Sequence, residues 1–304
     1  MTPDRRPDTV RAYLDQLRRA LKGAPAGLIA DALADTEDHL NNEISHNPDL
    51  PEPVILASVI DIYGTPQEIA EEYRDMEATI GGPFPKADLA PERRHGFFNV
   101  ITDPRSYFSL LYMILSLATG IIYFTWTLAF GLISSVFMIF IIGLPLMLFF
   151  LISVRVLAHA EGRLVEALLG QRMPRRPPAP APVARGFIIG RLKAVASDTT
   201  TWTSMLYLLL MLPLGIVYFV LAVLTMVVPL AISSGAIWGL IWNRALIDDP
   251  GREVPLWVHQ LLGTAPGLAL LAVGGLLMFF VMLHVARGVG SLHGKLAELL
   301  LVRL

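Results

Sequence analysis

The chain has 304 residues, 54% of them hydrophobic, with no cysteine and a formal net charge of −2. Its mean hydropathy of +0.56 lies above that of ordinary soluble domains, and the lack of cysteine excludes disulfides, thiolate nucleophiles and cysteine-ligated zinc. Charge is unevenly spread: residues 1–105 carry 11 Lys/Arg against 19 Asp/Glu (−8), and residues 106–304 carry 13 against 7 (+6).

An acidic, charge-rich head therefore precedes a basic, apolar region. The first 100 residues lack an apolar signal core, so the head is expected to stay in the cytoplasm. No direct contact with nucleic acid is expected.

In chain order, DTVRAYLDQLRRALK (8–22) sets Val10, Tyr13, Leu14, Leu17 and Leu21 at helical spacing. Residues 26–46 repeat the pattern with Ile29, Leu33, Leu40 and Ile44, and after NPDLPEP a short apolar helix follows in VILASVIDIY. Then GTPQEIAEEY places Gly64 at a helix C′ position, Thr65 as N-cap, Pro66 at N1 and Glu68 to close a capping box. Ile69, Tyr73 and Met76 are expected to face inward from this last helix. The reading is all-α: about four short helices in a domain spanning 1–78, then a Gly/Pro-interrupted linker, 79–102.

YLDQLRRALKG, LADTEDHL and YGTPQEIAEEY, in that order, resemble the HAAS domain that bacteria attach to membrane sensors. The resemblance implies a cytoplasmic signalling module of a kind often paired with a PadR-like transcription regulator.

On the second helix Asp35, His39 and His46 fall within about 40° of one another, with Glu43 nearer the core. Carboxylate and imidazole at i, i+4 can ligate a divalent metal. The plainer reading, a solvated or partner-facing flank, is preferred, because no second ligand-bearing helix is apparent. Asp35, His39, Glu43 and His46 are therefore candidates for a protein interface, with no metal or cofactor expected.

Ser106–Val154 is 49 residues without a charge, enough for two spans joined by a tight turn near Gly131–Ser135. Thr199–Asn243 and Gln260–Leu283 are charge-free over 45 and 24 residues. Aligning Asp103 with Asp198, an offset of 95, gives 10 identities in 22 positions, ending in Gly-Ile-(Ile/Val)-Tyr-Phe. The second halves align at an offset of 132: Arg155, Gly162, Arg163, Leu164 and Glu166 match Arg287, Gly294, Lys295, Leu296 and Glu298. Each unit is thus a transmembrane hairpin with an amphipathic tail: repeat one 103–170, a proline-rich linker 171–197, and repeat two 198–304. An offset of 132 against 95 leaves 37 extra residues in repeat two, around 226–262.

Loop 155–201 holds eight Lys/Arg, and the first hairpin turn holds none. The positive-inside rule then places this loop and both termini in the cytoplasm, with four spans. A fifth span at 226–243 would put Arg287, Lys295 and Arg303 outside. That segment is read instead as extended or lying at the outer interface, marked by Trp238, Trp242 and Trp257. Leu157, Leu164 and Leu168 form the stripe of the first tail, and Val289, Leu292, Leu296 and Leu299 that of the second. Arg155, Arg163, Arg172, Arg175, Arg176, Arg287 and Lys295 are the candidates for contact with the membrane surface.

SYFSLLYMILSLATGIIYF, TWTSMLYLLLMLPLGIVYF and SVRVLAHAEGRLVEALLG resemble the four-helix sensor domain of bacterial inner-membrane proteins, also found at the front of some histidine kinases. No phosphoacceptor helix or ATP-binding glycine motif accompanies them here. The expected spans (about 107–130, 133–154, 203–226 and 262–283) contain no Asp, Glu, Lys, Arg, His or Asn, which argues against ion-coupled transport and against catalysis. Pro145, Pro213 and Pro266 are candidate kinks.

The resulting expectation is a non-enzymatic membrane sensor, in contact with lipid and with a cytoplasmic regulator. The alternative is a structural subunit of a membrane complex, for example beside an exporter. Either is compatible with a homo-oligomer.

Overall fold

The computed structural model describes residues 6–80, 97–140, 142–175, 188–242 and 255–302. Among them the chain is helical throughout, with ten α-helices and a 3-10 turn at Phe97–Ile101. Four of the helices are long and apolar enough to cross a membrane.

The chain divides into two compact units. The first comprises residues 1–90, 126–208 and 295–304. It contains the head: α1 (Val10–Ala20), α2 (Ala26–His46), α3 (Glu52–Tyr63) and α4 (Pro66–Ile80). Two apolar clusters hold these helices together. Leu17, Leu21, Ile29, Ala32, Leu33, Ile69 and Ala70 join α1, α2 and α4. Tyr13, Leu40, Ile55, Leu56, Val59 and Ile60 join α1, α2 and α3.

The local signals at the α3–α4 corner form as the sequence dictates. Gly64 takes φ +114°, a conformation that L side chains rarely adopt. The Thr65 backbone N–H donates to Glu68 Oε2 at 2.8 Å, and the Glu68 N–H donates back to Thr65 Oγ1 at 3.3 Å. Tyr13 crosses the domain to donate to the Gly64 carbonyl at 2.7 Å. Met76, expected inward, is exposed. The inward residue of that turn is Glu77.

The first unit also holds α6 (Gly143–Leu169), α7 (Ile188–Ser197), the end of α5 (Pro104–Phe137) and the start of α8 (Thr199–Ile241). The α5–α6 hairpin is set by Trp126, whose indole N–H donates to Ser153 Oγ at 2.9 Å and whose ring stacks on Phe130. Gly131 to Ser135, expected as the turn, is helical; the chain reverses between Phe137 and Gly143. The Ser135 hydroxyl is satisfied by the Gly131 carbonyl at 2.7 Å, so nothing forces an early break. Within the stretch 171–197, residues 188–197 form α7 and bury Leu192 and Val195.

The second unit comprises residues 91–125 and 209–294. It contains the start of α5, most of α8, α9 (Leu256–Gly263) and α10 (Ala265–Leu301) up to Gly294. Val100, Leu110, Met113, Tyr218, Ala222, Phe280, Leu283 and Ala286 form its core.

The repeat explains a close contact between two of its helices. A Cβ on Gly120 would strike the backbone of Met211 and Leu212, and a Cβ on Gly215 would strike the backbone of Ser116 and Leu117. Gly120 and Gly215 are 95 residues apart, as are Ser116 and Met211. The shared Gly of the two copies is therefore a reciprocal close approach of α5 and α8, of the kind that small residues permit in membrane helices.

The segment from 226 to 241 is neither extended nor separate. It continues α8 to 43 residues, about 64 Å of helix, roughly twice a bilayer core. Its Ser233 hydroxyl meets the Ala272 carbonyl of α10 at 3.4 Å. Pro213 and Pro229 lie inside α8, whereas Pro145 and Pro266 fall in the first turns of α6 and α10, where a missing N–H breaks no helical bond.

Candidate functional site

Gly170, at φ +72°, ends α6 in a left-handed cap and turns the chain into Gln171-Arg172-Met173. This strap carries the densest polar contacts of the first unit. Arg172 Nη2 pairs with Asp31 of α2 at 2.8 Å, its Nε with Glu77 of α4 at 3.2 Å, and its Nη1 lies 3.8 Å from Glu166 of α6. The Arg172 side chain is only 10% exposed, and its Nη1 also donates to the Met173 carbonyl. Arg175 offers its backbone N–H to both Asp31 oxygens at 3.0 Å and its guanidinium to Glu166 at 3.4 Å. Arg163 closes the set, pairing with Glu166 at 2.5 Å. Three cations thus meet three carboxylates, so the network is neutral; Arg172 and the carboxylates are largely buried, and Arg163 is half exposed.

Packing reinforces it. Met173 is fully buried and lies against Gly162, while a Cβ on Gly27 would strike the backbone of Arg172 and Met173. Gln171 donates to Glu298 at the end of α10 at 2.6 Å. The strap consequently ties two head helices, the tail of α6 and the tail of α10 to one tripeptide.

A second buried polar set lies in the other unit. His293 is fully buried, with Nε2 2.5 Å from the Tyr112 hydroxyl and Nδ1 3.2 Å from the Tyr218 hydroxyl. The repeat puts Glu161 at the position of His293 and Tyr207 at that of Tyr112; both are fully buried.

A family profile described as "Putative sensor" matches residues 78–301, well over half of the chain. The chain belongs to the Sensor family. A second profile, HAAS, matches residues 12–72, so this is a Sensor membrane domain carrying a HAAS head, as the residue patterns imply. No curated protein and no solved structure matches it significantly.

The Sensor fold redistributes the residues singled out from sequence. Arg155 forms a buried pair with Asp198 at 2.6 Å, and Arg287 pairs with Asp103 at 3.0 Å. In both pairs the Asp opens one repeat and the Arg comes from the other. Arg172 and Arg175 belong to the strap network, while Lys295 is exposed. Arg176 lies outside the described residues, as do Arg303 and most of 79–102.

In the HAAS head, Asp35 accepts from the Tyr73 hydroxyl at 3.1 Å, and His39 stacks on Tyr63 with ring centroids 4.3 Å apart. Burial, together with the neighbouring Asp35 carboxylate, holds the Tyr73 hydroxyl well above its ordinary pKa. Glu43 is half-buried and His46 exposed, the latter with Nδ1 2.7 Å from the Asn42 carbonyl. The four do not gather around a common point, and no group of three or more potential ligands occurs among the described residues. Trp238, Trp242 and Trp257 are all exposed.

Residue-pattern reasoning passed over Asp31, Glu77, Met173 and His293. A signal existed for Asp31, an acid set among the inward residues Leu28, Ile29, Ala32 and Leu33. Another existed for His293, four residues after Val289.

Proposed function

We propose that this Sensor-family protein is a non-enzymatic regulator that transmits a membrane-borne signal to its acidic head. The signal is a change in the bilayer or a lipophilic ligand held among the spans. It shifts α6 and α10, and the Gln171–Met173 strap carries the shift to the head.

The observation that supports this is the guanidinium of Arg172, largely buried and shared by Asp31, Glu77 and Glu166. Because α6 and two head helices hold the same side chain, displacement of α6 changes how the head is held. Both termini face the cytoplasm of a bacterial inner membrane in this reading, which the eight Lys/Arg of 155–201 support. The head then meets a soluble regulator of the PadR-like type that its HAAS resemblance implies. The Asp35–His46 flank is the face offered.

The full chain in lipid nanodiscs, titrated with PadR-like regulators from the same organism, tests this. Binding that changes at least threefold between wild type and Arg172→Gln supports the reading. Equal binding by both, or none by either, overturns it.

A further inference from the structure

The two copies begin alike. In the second unit Asp103 accepts the Arg105 N–H at 3.0 Å, capping α5, and the Tyr107 hydroxyl donates back to the Ile101 carbonyl at 2.8 Å. In the first unit Asp198 accepts the Thr200 N–H at 3.0 Å, capping α8, and the Trp202 indole N–H donates back to the Ala196 carbonyl at 2.8 Å. Tyr107 and Trp202 occupy equivalent positions, as do Ile101 and Ala196.

Both rings remain about half exposed, Tyr107 at 41% and Trp202 at 50%. A polar tip tied to the lead-in segment with an apolar ring facing outward is the disposition of aromatic side chains at a membrane–water boundary.

The lead-in segments differ in one respect. The first is the 3-10 turn Phe97–Ile101, which contains no charge. The second is α7, whose Leu192 and Val195 are buried while Ile188, Ile189, Arg191 and Lys193 are exposed. Ile189 and Lys193, four residues apart, share a flank, and Arg191 lies on the other side of the buried stripe. Only Asp198 separates α7 from the long apolar helix α8. Exposed isoleucines on a basic helix at the foot of a span match an anionic bilayer surface, with the cationic heads snorkelling to phosphate.

We propose that α7 and Trp202 form a binding surface for anionic phospholipid headgroups, with Ile188 and Ile189 immersed and Arg191 and Lys193 holding the phosphate. This rests on the chain being a membrane protein and not on its acting as a regulator.

The chain has no cysteine, so a spin label at Ile189→Cys in the full-length protein is unique. In nanodiscs of phosphatidylcholine with added phosphatidylglycerol, the label should be more accessible to oxygen than to a water-soluble nickel complex. Native mass spectrometry should show phosphatidylglycerol retained over phosphatidylcholine. Arg191→Gln/Lys193→Gln should lower that preference by about fivefold per charge removed, whereas Arg6→Gln, which removes a charge paired with Asp61 on the surface of the head, should leave it unchanged. A label equally open to the nickel complex, an unchanged lipid preference in the double variant, or spin–spin coupling to a second copy at this site overturns the proposal.

Discussion

Arg172 is the residue on which most contacts converge, and removing it leaves Asp31, Glu77 and Glu166 without their shared counter-charge. Breaking a buried ion pair from one side costs about 3 kcal/mol, so Arg172→Gln should lower the stability of the head measurably in chemical denaturation of the full chain. Exposed Arg6, paired with Asp61 at the surface, should change it by less than about 1 kcal/mol when replaced. His293→Leu would remove one hydrogen-bond partner from each of two buried tyrosine side chains, an expected loss of about 2 kcal/mol, readable as a lower midpoint in detergent.

Glu68 gives a pH signature. Its carboxylate accepts from the Thr65 N–H and hydroxyl, which lowers its pKa in the folded head. A depressed folded value means that the stabilisation is present above the unfolded carboxyl range and is lost as pH falls through it. Glu68→Gln should therefore flatten the acid limb of head unfolding. This capping box was legible in four consecutive letters because its chemistry is local. The Arg172 network was not, since its members lie up to 144 positions apart and only the fold brings them together.

At the scale of elements, the α5–α8 contact rests on Gly120 and Gly215. Gly120→Leu should separate the helices and destabilise the chain by about 1–3 kcal/mol in a detergent unfolding assay. Gly274→Ala, where a Cβ would meet nothing within 4 Å, should be neutral or slightly stabilising.

Span identity and the repeat were readable from the charge-free runs, because apolar length is a property of the sequence alone. Which face of each tail is buried was not. On the second tail, whose leucine stripe reads as a membrane-facing surface, Leu292 and Leu299 are 68% and 76% exposed, while Ala286, His293 and Ala297 are buried. In water-soluble helices the large apolar face turns inward. Where lipid is the solvent, leucine gains little by burial and small residues take the helix contacts. The same logic hid Glu161 and Glu166 on α6, both buried beside Ala158, Gly162 and Val165. From sequence, a helix through 226–241 is set aside because a fifth span there would put Arg287, Lys295 and Arg303 outside. A continuation of α8 is not weighed there, and it carries Pro229 in its interior, as membrane helices can when neighbouring groups satisfy the freed carbonyl.

For the whole molecule, the account depends on the head being held at the strap and on that hold being adjustable. Both features lie within the first compact unit, so one distance reports on them. Glu71 of α4 and Ala167 of α6 are exposed, and in a cysteine-free chain a pair of labels at Glu71→Cys and Ala167→Cys is unambiguous. Pulsed electron resonance in nanodiscs should give one narrow distance distribution for the otherwise unmodified chain. With Arg172→Gln added, the distribution should broaden and shift to longer values. A narrow, unchanged distribution in the Arg172→Gln background would contradict the account, because the head would then be fixed by something other than the strap.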